Sequence, residues 1–330
     1  MSNKIGWIDN LRAVACLMVV MIHATTAVLT TPDKVGSLAW DVANLLNALS
    51  RAAVPLFFMI SGYLFFGERS ANRKHFVRIG GCILFYSAVA LAYIACFTHI
   101  GFWPSLRTLL QKPVFYHLWF FYAIVVVYLL SPLINVKPVS GRYLAAALLI
   151  LAVLANPNGD KLAVDGVHLL PVNLYIAGDT FYYLLYALAG RAIGMMDTGR
   201  RGVSLLAALG LVGSVALIII GTRHQSLING NLAATYYLYA TPLVFIAAVS
   251  LLVWFKNCLA QPVGWLAVFS RHSLAIYGLH ALIVNLLRHQ GWDLDGYPLL
   301  DIFWVFGLAL GLSLLLSVGL QKIDRRRLVS

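Results

Sequence analysis

The chain alternates between long apolar runs and short polar joints along almost its whole length. A helix needs ~20 mainly apolar residues to cross the hydrocarbon of a bilayer. Runs of this kind lie near 8–30, 42–66, 78–98, 117–135 and 142–155, and again near 172–195, 202–221, 234–255, 265–288 and 300–320. The fifth is short. In lipid only helices and closed barrels satisfy their own backbone hydrogen bonds, and runs of this length read as helices. The expected fold is all-α: a polytopic integral membrane protein of about ten transmembrane helices, one transmembrane domain over 1–330. Hydrophobic residues make up 61% and charged residues 11%, against roughly 25% charged in soluble domains. A water-soluble globule is therefore excluded, and so is a disordered chain. The longest loops, near 99–116 and 156–171, are under domain size. No small-residue cleavage pattern follows the first run, so no cleavable signal peptide is expected.

The formal net charge is +12. In a soluble protein that surplus points to nucleic acid, whereas in a membrane protein it marks cytoplasmic loops. Ten spans bring both termini to one side. With the termini inside, 14 of the 24 Lys and Arg fall in inner positions, and six (Lys34, Arg107, Lys112, Lys161, Arg223, Arg288) fall outside. Arg12, Arg51, Arg191 and Arg271 lie within or at the edge of runs. Asp33, Asp41, Asp160, Asp165, Asp293, Asp295 and Asp301 take the outer side. Both termini are thus expected in the cytoplasm, and no nucleic-acid partner is expected. Cys16, Cys82, Cys96 and Cys258 lie in or beside apolar runs without ligand-like spacing, and read as buried small hydrophobes, with no metal site. No Gly-rich phosphate loop, HExxH, GxSxG or CxxC occurs. Any chemistry must rest on ionisable groups inside the membrane.

The first run carries the sharpest signal. Arg12 and His23 are eleven residues apart, about 1100° of helical rotation and so one face. They are separated by ~16 Å along the axis, roughly half the hydrocarbon thickness. Asp9 shares that face and can hold the Arg12 guanidinium. Singly, each residue has an ordinary reading: Arg12 snorkels to headgroups, and His23 hydrogen-bonds a neighbouring helix. Jointly they describe a polar track, because an ionisable group in hydrocarbon costs ~2.5–3.5 kcal/mol or more unless it lines a cavity.

The segment from Trp7 to His23 resembles the first helix of the acyltransferase-3 family of membrane O-acyltransferases, whose hallmark is an Arg, ten residues and a His. Val54-Pro55-Leu56-Phe57-Phe58-Met59-Ile60-Ser61-Gly62-Tyr63-Leu64 is similar to that family's second-helix signature. His117-Leu118-Trp119-Phe120 and Ser273-Leu274-Ala275-Ile276-Tyr277-Gly278-Leu279-His280 match further blocks, in family order. The resemblance implies a multi-pass enzyme of the bacterial inner membrane, surrounded by membrane lipids. It would move an acetyl group from cytosolic acetyl-CoA to a hydroxyl of a lipid-linked or polymeric envelope glycan, with no permanently bound cofactor. One departure stands out. The family usually carries Arg-x-x-Arg at the inner start of the third helix; here Arg78 fits the second arginine, and His75 occupies the first position after Arg73 and Lys74. The cluster stays cationic and able to grip donor phosphates, with ordinary positive-inside charge as the other reading. A bidentate arginine clamp at position 75 is lost.

On that resemblance His23 is the expected general base, Arg12 holds the thioester end of the donor, and Asp9 steadies Arg12. Ser61 accepts an acyl group or lines the track, unless Ser61-Gly62 only packs helices. Tyr277 and His280 share a helix face and bind donor or acceptor, or else hydrogen-bond within the core. His117 and Trp119 begin the fourth run at the outer surface, where aromatic residues also anchor helices. Asp179 contacts sugar hydroxyls, together with Tyr182, Tyr183 and Tyr186, or caps its helix. Arg51, near Pro55, is deep enough to need a partner such as Asp9 or Asp179. Some family members carry a fused extracytoplasmic hydrolase-like domain; the sequence stops at Ser330, so none is expected and direct transfer is favoured. A transporter or glycolipid flippase accounts for buried charges equally well, but such folds often show internal repeats or paired broken helices. The sequence shows neither.

Overall fold

A computed structural model describes residues 5–98, 101–107, 111–158, 163–164, 167–168 and 178–330. Lys4, Asp160, Lys161, Asp165 and the start of the run near 172–195 lie outside the described residues. Twelve helices follow one another: α1 (Gly6–Thr30), α2 (Ser37–Ser50), α3 (Ala53–Phe65), α4 (Arg73–Phe97), the short α5 (Phe102–Arg107), α6 (Trp119–Leu130) and α7 (Gly141–Leu154). They continue with α8 (Asp179–Met195), α9 (Arg201–Asn229), α10 (Pro242–Cys258), α11 (Gly264–His289) and α12 (Pro298–Ile323). A two-residue antiparallel ladder pairs Ala163–Val164 with Val167–His168 between α7 and α8.

Among the described residues, eight helical segments are long and apolar enough to cross a membrane, with α2 and α3 counted as one. The two remaining expected runs fall on α7 and α8, with 14 and 17 residues. These reach only ~21 and ~26 Å at 1.5 Å per residue, short of the ~30 Å hydrocarbon. The α2–α3 pair divides the single run expected near 42–66. Pro55 lacks an N–H and its ring meets the carbonyl four residues back, at Arg51. The helix accordingly turns at Arg51 and Ala52.

The first helix is the centre of the bundle and packs against α2, α3, α11 and α12. Asn10, fully buried, staples it to the α10–α11 joint: its Nδ2 donates to the Leu259 and Gln261 carbonyls at 2.9 and 2.7 Å, and its Oδ1 accepts from Val263 N–H at 2.9 Å. Helices α3 and α8 meet backbone to backbone. A Cβ at Gly62 would collide with the Ala187 carbonyl, and one at Gly190 with the Met59 carbonyl. Small residues permit such close packing where lipid offers no hydrophobic drive. Leu205, Leu206, Leu209 and Val212 of α9 and Leu315 and Leu316 of α12 are exposed, the lipid-facing side of a membrane bundle. Cys96 and Cys258 are also exposed, unlike the buried Cys16 and Cys82. The expectation that all four are buried is corrected: an apolar run gives depth in lipid but does not say which face turns inward.

After α12 the chain folds back as a strap over 324–330. The Asp324 carboxylate accepts the backbone N–H groups of Leu328, Val329 and Ser330 at 3.0, 2.8 and 3.0 Å. Strap carbonyls accept from α4: Leu328 from Cys82 Sγ, Val329 from the Tyr86 hydroxyl and Ser330 from Arg78.

Candidate active site

A cavity of about 480 Å³ opens at the end of the bundle to which the charge count assigns the cytoplasm. Four elements bring five basic side chains to its wall: Arg12 from α1, His75 and Arg78 from α4, Arg271 from α11, and Arg327 from the strap. Among the described residues, no Asp or Glu lines it. Arg12 NH1 donates to Asp9 Oδ1 at 3.0 Å, and the Ser270 hydroxyl donates to the same oxygen at 3.3 Å. The carboxylate thus aims the guanidinium into the cavity from behind. Ser61 also lines the wall and hydrogen-bonds Tyr128, while its neighbour Gly62 makes the α3–α8 contact.

His75 has a structural task at the helix start. Asn72 Oδ1 accepts from Lys74 N–H, and Asn72 N–H donates to His75 Nδ1 at 3.1 Å, a reciprocal cap. Its ring stands edge-on to Phe65 at 4.8 Å. Arg73 and Lys74 are exposed and do not line the cavity. Of the four-residue cationic cluster, only His75 and Arg78 face the space. The sequence count missed Arg271 and Arg327, because it assigned one to a helix end and the other to a topology tail.

The cavity ends at aromatic rings. Phe57, Phe120 and Tyr277 close its inner end, with ring centroids 5.7 Å apart for Phe57–Phe120, 6.5 Å for Phe57–Tyr277 and 5.4 Å for Phe120–Tyr277. Beyond Tyr277 lies a cluster of three histidines. His280 is 5.7 Å from the Tyr277 ring, 5.4 Å from His117 and 5.0 Å from His23. His23 is not part of the cavity wall. The continuous polar track expected from Arg12 to His23 is therefore interrupted, because α3, α6 and α11 each project a ring across it.

Backbone carbonyls fix the tautomers of two of these histidines. His280 Nδ1 lies 3.0 and 2.8 Å from the Ile276 and Tyr277 carbonyls, so it donates. His117 Nε2 donates to the Gly278 carbonyl at 3.0 Å. The opposite nitrogens, His280 Nε2 and His117 Nδ1, are buried without a hydrogen-bond partner among the described residues. Each is a bare acceptor. His23 Nδ1 lies 3.4 Å from the exposed Tyr116 hydroxyl. His117 is thus no surface anchor: the turn Tyr116–Leu118 folds it inward to 2% exposure, and its backbone carbonyl accepts the Tyr277 hydroxyl. Trp119 stacks beside Tyr183 and Tyr239, at 5.4 and 6.0 Å between centroids.

Asp179 is exposed in the first turn of α8, outside the cavity wall. Arg51 pairs with neither Asp9 nor Asp179. Its Nε donates to Asn47 Oδ1 at 2.7 Å, and its guanidinium lies 4.3 Å from the centre of the Tyr237 ring. Asn47 Nδ2 in turn donates to Thr25 Oγ1 and the Ile22 carbonyl, so the break in α2–α3 is tied to α1 beside His23. Amide and aromatic partners satisfy the cation where a carboxylate was expected.

A family profile described as "Acyltransferase domain" matches residues 5–321. A serine/alanine racemase of Enterococcus gallinarum is 31% identical over 170 residues, 46% of this chain and 23% of that protein. An amino-acid racemase of Enterococcus faecalis is 30% identical over 140 residues, 38% of this chain and 19% of that protein. The chain therefore spans less than a quarter of the length of the curated relatives it matches. No solved structure matches the chain significantly.

Proposed function

The chain belongs to the acyltransferase-3 family, and from that premise we propose that it is an inner-membrane O-acetyltransferase using cytosolic acetyl-CoA. The observation that carries this reading is the basic cavity, with no Asp or Glu side chain among its described lining residues, opening on the expected cytoplasmic side and pointing toward the histidine cluster. Arg12, Arg78, Arg271 and Arg327 complement a donor with several phosphates, because guanidinium groups bind phosphate through charge-assisted hydrogen bonds. Asp9 serves as a positioning residue for Arg12.

In the transfer step the acceptor hydroxyl oxygen attacks the thioester carbonyl, and its proton passes to the imidazole of His23. The C–O bond forms, the C–S bond breaks, and the departing thiolate recovers the proton. A neutral imidazole can take a proton from a hydroxyl and return it to the thiolate, which suits this exchange. His117 and His280 offer bare ring nitrogens beside His23, able to accept hydroxyl hydrogens from a sugar. Trp119 and Tyr277 supply aromatic surface in the same region.

The same sequence blocks more narrowly resemble the O-acetyltransferase that decorates enterobacterial common antigen, so the acceptor proposed is a hydroxyl of its N-acetylglucosamine residues. Membrane vesicles carrying the protein and given radiolabelled acetyl-CoA should label that glycan, and His23→Ala should abolish the label while leaving the protein folded. An active His23→Ala variant refutes the general base. Label in lipopolysaccharide, a glucan or peptidoglycan moves the acceptor to that polymer. Movement of a glycolipid without any label makes the protein a transporter.

A further inference from the structure

The aromatic partition invites a closer look at what passes it. A point equidistant from the Phe57, Phe120 and Tyr277 centroids lies about 3.4 Å from each, at or inside the ~3.5–4.0 Å at which carbon atoms touch. The gap between the rings is closed even to a methyl group unless a ring yields. The three rings differ in how firmly they are held. Tyr277 is buried, and its hydroxyl donates to the His117 carbonyl. Phe57 and Phe120 are half-buried and pack against apolar core residues and other rings, Phe120 for example 5.0 Å from Phe58. No hydrogen bond is lost when either phenyl ring tilts. One fixed wall and two yielding ones make an aperture that opens by the volume of whatever enters.

We propose that Phe57, Phe120 and Tyr277 set the length of acyl chain the enzyme accepts, passing a two-carbon acyl group toward His23 and excluding longer ones. The inference rests on the reading that the basic cavity takes an acyl-CoA. The cationic mouth holds the nucleotide end of any acyl-CoA equally, so discrimination between chain lengths has to come from the inner end. There every added methylene needs a further displacement of Phe57 or Phe120. One methylene in a shaped apolar site changes kcat/KM by ~10–200-fold.

The test compares acetyl-, propionyl- and butyryl-CoA, each radiolabelled in the acyl group, with label read in the envelope glycan fraction of vesicles carrying the full chain. The wild type should favour acetyl over butyryl by ~100-fold or more, and Phe57→Ala or Phe120→Ala should cut that ratio at least ~10-fold by raising butyryl transfer. Because both donors meet the same folded fraction, the ratio is insensitive to partial loss of fold. If an alanine variant is inactive with every donor, Phe57→Leu and Phe120→Leu decide on the same ratio. Comparable use of acetyl and butyryl by the wild type overturns the inference, as does an active variant with an unchanged ratio. A wild type that labels no glycan from any donor overturns the proposed function itself and the inference with it, a result distinct from an unchanged ratio.

Discussion

The cavity wall makes a prediction that separates arginines of equal charge. Arg271→Ala and Arg12→Ala remove side chains from the wall, whereas Arg73→Ala and Lys74→Ala remove exposed side chains outside it. A hydrogen bond to a charged group contributes ~1.5–3 kcal/mol, and an exposed ion pair ~0.2–1 kcal/mol. Arg271 is exposed at the mouth, so about 1 kcal/mol is expected, or ~5-fold in the KM for acetyl-CoA. Arg12 is 29% exposed and oriented by Asp9 at 3.0 Å, which puts it at about 2 kcal/mol, or ~30-fold. Arg73 and Lys74, exposed and outside the wall, act only through solvent-screened attraction and should change KM less than about twofold. The assay is KM for radiolabelled acetyl-CoA with the protein in lipid nanodiscs, at low and high salt. The Arg271 effect should shrink with added salt and the Arg12 effect should shrink less. A KM that rises more for Arg73→Ala or Lys74→Ala than for Arg271→Ala would refute the assignment of the donor site to the wall.

Two further outcomes test the frame around the site. Gly190→Val forces a side chain into the Met59 carbonyl, so it should destabilise by about 1–3 kcal/mol or more and lower the thermal midpoint in detergent; an unchanged midpoint means α3 and α8 do not touch there. Burial pushes the Asp324 carboxyl up, but the N–H groups of Leu328, Val329 and Ser330 outweigh it and hold the group below the usual carboxylate range. A lowered folded value means that the stabilisation is present in full above the unfolded value of ~3.9 and is lost as pH falls through the folded one. Amide exchange in the strap should therefore be slow at pH 7, speed up relative to the intrinsic rate below about pH 4, and be fast at pH 7 in Asp324→Asn. Equal protection in the variant would show that other contacts hold the strap.

The sequence was most informative where one residue had one physical consequence. Hydrophobic length placed α1, α11 and α12 to within three residues at each end, because burial of about twenty apolar residues in lipid leaves little freedom. The Asp9–Arg12 pair was legible for a similar reason: three residues on a helix always share a face. Pro55 was visible, but its effect four residues back at Arg51 was masked by the unbroken apolarity around it. His117 was misjudged as a surface residue since its inward turn depends on the Gly278 carbonyl, 161 positions away. Arg271 reads as a helix-end charge and Arg327 as an orienting one, and only the folding back of the strap brings Arg327 to the cavity. The partition of Phe57, Phe120 and Tyr277 comes from three helices, and no local pattern announces such a meeting.

That partition also has an electrical consequence. An aqueous cavity open on one side carries the potential of that side inward, so in an energised membrane the voltage falls from the ring layer outward instead of over the full hydrocarbon. Moving one elementary charge through 100 mV takes ~2.3 kcal/mol. A neutral acetyl group crosses such a layer without feeling the field, while a proton or a phosphate does feel it. A seal of hydrocarbon rings therefore lets an enzyme join two compartments chemically and still keep them insulated from each other.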